Sequence, residues 1–363
     1  MLFLVFTGSY GTYFAYLKLH ADKPWRLTID KQFCPPVTIL IPAHNEGRII
    51  QEKLENLAEV SYSKEKMEII VIDDASTDET FAKACDFAEK HPELSVKVIS
   101  QHQRGGKANA LNKGLAVSSN DILVVTDADA FLPPKILRDA LPYMSDPTIG
   151  GITCFGGAAN PSRSWVTRTE NDYLGLMFLW RLGESKIHST LRFEGSFCAF
   201  KKNAFDEFDS ESGADDSGTA LRVVQNKFRA ILVPEAHPLT EIHHKLRDRA
   251  KVKIRRAVQL NGLWFQCSKL LFEGRLVLPK KIAVPEIFFF IFNPFVFVAL
   301  TCVTPALIAY HPVALIPLIF AFCTSSLVPK ARSYLVETIL AQFVLVYSIA
   351  LYAIRKKFVA WDK

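Results

Sequence analysis

Two acidic clusters carry residue types and spacings that chemistry can use. One is Asp73-Asp74-Ala75-Ser76-Thr77-Asp78 and the other is Asp127-Ala128-Asp129. Each closes a short β-branched run, Val71-Ile72 before the first and Val124-Val125 before the second. Both are therefore expected at the C-terminal ends of buried strands, where open α/β sheets bind ligands. Side chains alternate along a strand with a period of two, so an Asp-x-Asp at a strand end would turn two carboxylates the same way. Such a pair suits Mg²⁺ or Mn²⁺ carrying a diphosphate, as in phosphate transfer or transfer of a sugar from a nucleotide. Lys107 follows Gly105-Gly106 at an expected helix start, with Arg104 close by. Glycines allow close backbone approach and a helix N-terminus favours phosphate. The alternative is a solvated basic turn, and the Walker A spacing is absent.

Short alternating elements must hold these groups. Residues 37–41 read as a first strand, 67–72 as a second, 96–99 as a third and 122–125 as a fourth. Between them, Ile49, Ile50, Leu54 and Leu57 share one helical face over about 48–57, and Ala108, Leu111, Leu115 and Val117 share another. Thr77-Asp78-Glu79-Thr80 opens a further helix, with Asp78 the expected cap. Strands alternating with helices predict an α/β fold with a mostly parallel sheet covered on both faces. Residues 42–47 would form the loop after the first strand, placing Pro42, Ala43 and Glu46 beside a base or ribose, or else making a turn and a helix cap.

The chain has 363 residues, enough for one catalytic domain of roughly 200–250 residues with additional elements. Its hydrophobic content of 49% is concentrated at the two ends. Net charge is +6, with Lys and Arg clustered over 245–256. Beside an apolar C-terminal region this cluster favours anionic lipid or diphosphate over nucleic acid, for which no signature is present. Seven cysteines lie outside CxxC pairs and zinc spacings, as expected of reduced thiols facing a cytoplasm.

Residues 1–19 are apolar and aromatic, only just long enough to span a bilayer. A retained anchor is preferred to a cleaved signal peptide, because no basic residue precedes the run and Tyr10, Tyr13, Phe14 and Tyr16 lie within it. Apolar runs cover 284–309, 313–328 and 334–354. Lys280 and Lys281, Lys330 and Arg332, and Arg355-Lys356-Lys357 flank them, and three full spans cannot keep all three clusters on one side. The expected organisation is an anchor over 1–19, a cytoplasmic catalytic domain over 35–275 and a membrane region of two to three helices over 284–354.

Five motifs in order carry a resemblance. Pro42-Ala43-His44-Asn45-Glu46, the Asp73–Asp78 cluster, Gly106-Lys107-Ala108-Asn109-Ala110-Leu111-Asn112, Asp127-Ala128-Asp129 and Asp215-Asp216 together resemble the family-2 glycosyltransferases, whose catalytic domain has the GT-A fold. Glu194-Gly195-Ser196 looks like the acceptor-side segment of that family, and the likeness runs over about 36–264. It implies that Asp127 and Asp129 hold the divalent cation on the diphosphate of a UDP-sugar. It further implies that Asp73 and Asp74 meet the nucleoside, and that Asp216 takes the proton of the acceptor hydroxyl. Asp215 stands where the family usually has Glu. Where processive members carry Gln-x-x-Arg-Trp, Arg256 fits the Arg, but Lys253 replaces the Gln and Ala257 the Trp. Arg256 remains a candidate for the leaving diphosphate.

These observations predict an inverting, metal-dependent, membrane-anchored transferase acting on a lipid-linked or membrane-proximal acceptor, with a non-processive reaction preferred to a polysaccharide synthase. A lipid-phosphate nucleotidyltransferase would share the acidic site but leaves Asp216 unexplained. A non-catalytic scaffold has no use for intact Asp127, Asp129 and Asp216.

Overall fold

The computed structural model describes residues 2–354 except 241, 315, 317–318, 321–322 and 324–326. The chain divides into a sheet unit (Lys23–Gly157 and Glu184–Thr240) and a helical unit (Met1–Asp22, Ala158–Gly183 and Glu241–Lys357).

The main sheet of the sheet unit has seven strands: β1 (Val37–Ala43), β2 (Met67–Asp73), β3 (Ser95–Ser100), β4 (Ile122–Val125), β5 (Ile149–Thr153), β6 (Cys198–Lys201) and β7 (Arg229–Leu232). Their spatial order is β3-β2-β1-β4-β6-β5-β7. The first four are parallel, β6 is antiparallel to both neighbours, and β5 and β7 are parallel. This is a mostly parallel mixed sheet, as the sequence resemblance implies. Both β1 and β2 are buried at every position, which is why they read as continuous apolar runs. Helices α2 (Ile50–Ala58), α3 (Thr80–Lys90), α4 (Lys107–Val117), α5 (Ile136–Ala140) and α7 (Asp215–Gln225) join the strands. Gly114 lets α4 lie close on the sheet, since a Cβ there would sit 2.9 Å from Leu40 and 3.0 Å from Ile72.

The first strand runs two residues beyond its expected end, so Pro42 and Ala43 lie within β1, fully buried, and not in a loop. Proline is tolerated because β4 pairs with β1 only as far as Leu40 and Val125. Pro42 therefore has no β4 neighbour that would want its missing N–H. The same early end of β4 changes the Asp-x-Asp geometry. Ala128 and Asp129 lie in a turn beyond the strand, so the expected alternation of side chains does not apply to them.

The helical unit contains α1 (Leu2–Ala21), most of α6 (Trp165–Ile187), α8 (Leu246–Phe272), α9 (Lys280–Ile287), α10 (Asn293–Tyr310) and α11 (Pro329–Ala353). A π-helical turn, Phe288–Phe292, joins α9 to α10. Two described helices are long and apolar enough to cross a membrane, Lys280–Tyr310 and Lys330–Ala353. Helix α1 is not one of them; Thr7, Ser9, Thr12 and its tyrosines dilute the run. Half of the apolar run expected over 313–328 lies outside the described residues, as do Arg355, Lys356 and Lys357. Within this unit Glu170 is buried against Arg249 and Lys253, and Lys253 also pairs with Glu337.

Candidate active site

The site is built where the parallel strands end. After β1 the chain turns through Asn45, at φ 55°, and after β2 through Ala75, also at φ 55°. A left-handed backbone is uncommon for alanine and marks a constrained turn. The two turns are tied together: Asn45 N–H donates to Ser76 Oγ at 2.9 Å and Thr77 N–H donates to Asn45 Oδ1 at 2.8 Å. Glu46 is buried, its N–H donating to Thr80 Oγ1 at 2.8 Å. Asp78 accepts the Thr80 N–H at 3.0 Å at the start of α3 and the Gly47 N–H at 3.0 Å. It therefore satisfies an amide at the helix start, as the sequence implies, from one residue before the N-cap position Glu79. Burial pushes its carboxyl up, but these hydrogen bonds outweigh burial and hold it below its ordinary value.

The two adjacent aspartates have different surroundings. Asp74 is fully buried and accepts Gly105 N–H at 2.7 Å and Gly106 N–H at 2.8 Å. Its carboxylate thus fixes the turn that precedes α4, where Gly106 adopts φ 83°. Asp73 takes Ser100 Oγ–H at 3.0 Å on one oxygen, while its buried Oδ1 has no hydrogen-bond partner. A buried acceptor left open is costly, so of the two aspartates Asp73 is the one with an acceptor to spare. Arg104 is exposed on the same turn.

Lys107, at the start of α4, is the hub. Its ammonium lies 2.9 Å from Asp127 Oδ1, 3.1 Å from Asp215 Oδ2 and 3.4 Å from Asp216 Oδ1. Burial disfavours its charge, but the three carboxylates outweigh that and raise its pKa well above the usual lysine value. Three carboxylates around one ammonium leave an excess of negative charge. The Asp216 carboxyl responds: burial first, then Asp215, push it well above the carboxylate range against the pull of Lys107. Cys198, at the head of β6, places Sγ 4.0 Å from Asp216 Oδ1, and burial followed by that carboxylate keeps it a thiol.

The segment 194–196 floors the hub. Gly195 O accepts Asp127 N–H at 2.8 Å. A Cβ on Gly195 would lie 2.5 Å from both Asp127 Oδ2 and Lys107 Nζ, so any larger residue must displace these two side-chain tips. Ser196 O accepts Thr126 Oγ1–H at 2.9 Å, and Glu194 Oε2 accepts Gly156 N–H at 3.1 Å. Asp129 is exposed on the turn beyond Asp127. Arg256 lies on α8 of the helical unit.

The structure thus brings Lys107, Asp127, Asp215, Asp216 and Gly195 into one cluster. Sequence reasoning missed Lys53, which is fully buried beneath the Asp127 turn and donates to Thr126 Oγ1 at 2.8 Å and to the Ala130 carbonyl. Its signal was present: Lys53 falls between Ile50, Leu54 and Leu57 on the apolar face of α2. Burial lowers its pKa to about 7, against the opposing pull of Asp127 and Asp129.

Among the described residues no group of three or more His, Cys, Asp or Glu is arranged to hold a metal alone. Asp127, half-buried and paired with Lys107, and Asp129, exposed on the same turn, are the carboxylates that would hold a hard divalent cation, its other ligands coming from water and a diphosphate.

Comparisons with known proteins bear on the family and the fold. Residues 38–209 match the family described as Glycosyl transferase family 2. The chain is 33% identical over 142 residues to a beta-monoglucosyldiacylglycerol synthase of Synechocystis, covering 39% of this chain and 30% of that protein. It is 27% identical over 234 residues to a probable glycosyltransferase of Bacillus subtilis, covering 62% of this chain and 55% of the relative. The chain thus spans from about a third to about half the length of these curated relatives. Among solved structures it resembles a mannosyltransferase from Pyrobaculum calidifontis in complex with GDP-Man and Mn²⁺. That likeness has a TM-score of 0.82 at 28% identity, covering 98% of this chain and 97% of the other. Residues 38–209 thus form a domain of the glycosyltransferase family 2, and the sheet unit that contains them has the GT-A fold.

Proposed function

We propose that this protein is an inverting transferase that moves a sugar from a nucleoside-diphosphate donor to a hydroxyl of a lipid-linked or membrane-proximal acceptor. The observation that carries this reading is the Lys107 hub, one buried ammonium ringed by Asp127, just beyond β4, and by Asp215 and Asp216 at the start of α7. Asp73, with its open Oδ1, receives the nucleoside. Asp127 and Asp129 would hold a divalent cation, which neutralises charge on the leaving diphosphate. Asp216 takes the acceptor proton as the hydroxyl oxygen attacks C1 from the face opposite the diphosphate. The C1–oxygen bond to phosphate breaks and its electrons leave with the diphosphate, so no covalent intermediate with the protein is needed. The raised pKa makes Asp216 a stronger base, ionised over a narrower pH range. Lys107 keeps that carboxylate within a neutralising field.

The sequence favours a UDP-linked donor, whereas the full-length likeness to a GDP-Man-bound mannosyltransferase puts GDP-mannose first among the donors to try. Two described helices with the length and composition of membrane spans support a membrane-bound protein; the cytoplasmic placement of the catalytic domain rests on the sequence reading of its cysteines as reduced thiols. The departures at Lys253 and Ala257 support single transfer over polymer synthesis. The deciding experiment is a donor screen on the detergent-solubilised chain, scoring release of GDP or UDP with Mn²⁺ and lipid present. Release from one donor, abolished by EDTA and by Asp129→Ala, is expected. Full activity in excess EDTA rules out the metal role, and pyrophosphate release from a nucleoside triphosphate would point to nucleotidyl transfer.

A further inference from the structure

Helix α2 holds the segment 126–132 through two polar side chains. Lys53 donates to Thr126 Oγ1 at 2.8 Å and to the carbonyl of Ala130, the two residues that bracket Asp127-Ala128-Asp129. One turn further along, Asn56 donates to Leu132 O at 3.0 Å and accepts Leu132 N–H at 2.8 Å. Thr126 passes the chain on, donating to Ser196 O at 2.9 Å. An ammonium, a hydroxyl and a carbonyl thus connect α2, the Asp127 turn and the 194–196 segment. Helix α2 also follows directly from the turn that carries Glu46, so both loops share one rigid support.

Stability alone does not account for Lys53. A lysine with no exposed surface is expensive to bury, and an apolar side chain of similar length would fill the same place without that cost. The hydrogen bonds of Lys53 end on the backbone and hydroxyl that shape one particular turn. We propose that Lys53, assisted by Asn56, is a positioning residue that fixes the 126–132 segment so that Asp127 and Asp129 face a cation-bound diphosphate together. The proposal rests on the reading of Asp127 and Asp129 as metal ligands.

The test is Mn²⁺ binding to the full chain in detergent, read from the free-ion electron paramagnetic resonance signal with GDP or UDP present, beside the thermal unfolding midpoint. Lys53→Met removes the donors and keeps the length. Its Mn²⁺ affinity is expected to fall about tenfold or more, the usual loss for a residue that orients metal ligands. Its unfolding midpoint is expected to change little, because removal of a costly buried ammonium offsets the Ala130 carbonyl left without its donor. Lys53→Gln, which keeps a short donor, should lie between Met and wild type. Asp129→Ala should lose binding outright. Wild-type affinity in Lys53→Met beside lost affinity in Asp129→Ala overturns the Lys53 role alone. Wild-type affinity in Asp129→Ala overturns the metal reading and this inference with it. If Lys53→Met loses midpoint and affinity together, Lys53→Gln decides: recovery of the midpoint with affinity still reduced upholds positioning, while recovery of both in step makes Lys53 a packing residue and overturns it.

Discussion

Gly195→Ala isolates the hub from the rest of the fold. Gly195 is not among the glycines with positive φ, so alanine brings no backbone strain. The added Cβ would meet Asp127 Oδ2 and Lys107 Nζ at 2.5 Å, where ordinary contact begins at 3.4 Å. Those atoms must therefore retreat by about 0.9 Å, close to the 1 Å misplacement that costs a catalytic site about 10²-fold, or about 2.7 kcal/mol of barrier. Both are tips of side chains and can move without disturbing the core. The stability cost should therefore stay at the low end of overpacking, about 1 kcal/mol, and lower the unfolding midpoint by only about 2–4 °C. The assay pairs turnover, read as nucleoside-diphosphate release, with a thermal unfolding scan of the same preparation. A loss of about 10²-fold in turnover with a small midpoint shift is expected. Wild-type turnover in a folded Gly195→Ala protein would show that the Lys107–Asp127 pair takes no part in the reaction. A collapsed midpoint would make Gly195 a packing residue only.

Three further outcomes are expected. Asp216→Asn should lower transfer by about 10²–10⁴-fold while nucleotide affinity, measured by titration calorimetry, stays near wild type; lost nucleotide binding in a folded variant would move Asp216 to the donor side. Glu68 is buried and takes hydrogen bonds from Lys97, Thr38 and Ser119, and although burial alone would raise its pKa, these bonds bring it down from 4.5 to about 2. The unfolded chain therefore binds more protons between those values. The contribution of Glu68, roughly 3 kcal/mol, should be complete above pH 4.5 and be lost as pH falls toward 2; denaturant titrations of Glu68→Gln and wild type should converge at the acid end, and parallel curves would refute it. Finally, the chain should stay in the membrane fraction through carbonate and high-salt washing, and release by salt alone would identify Lys280–Tyr310 and Lys330–Ala353 as helices of a soluble bundle.

Much of this was legible in the sequence for physical reasons that act locally. The β-branched runs before Asp73 and Asp127 are strands because both faces of those strands are buried, and the acidic residues follow where each strand stops. Lys107 could be placed from its glycines, since Gly106 needs its positive φ at the helix start. What was not legible depends on partners distant in sequence. Nothing local says that Asp74 spends both oxygens on the Gly105 and Gly106 amides while Asp73 keeps one open. The extension of β1 through Pro42 depends on how far β4 reaches beside it. The insertion of antiparallel β6 between β4 and β5, which brings Gly195 under Asp127, is a matter of strand order that no motif encodes.

The bond between Asp74 and the two glycine amides has a consequence for how a ligand is received. Those amides head a helix and would otherwise be ready to grip an anion, yet the protein supplies the anion itself. The turn before α4 is therefore set by folding and not by the donor, and the turns after β1 and β2 are likewise laced to each other. A socket assembled in advance spares the incoming molecule the ordering cost, about 0.5–1.5 kcal/mol for each side chain that binding would otherwise immobilise. Selectivity in such a socket comes from fit and from the few groups left open, and the entropic signature of loop closure should be missing when a nucleotide binds to the sheet unit.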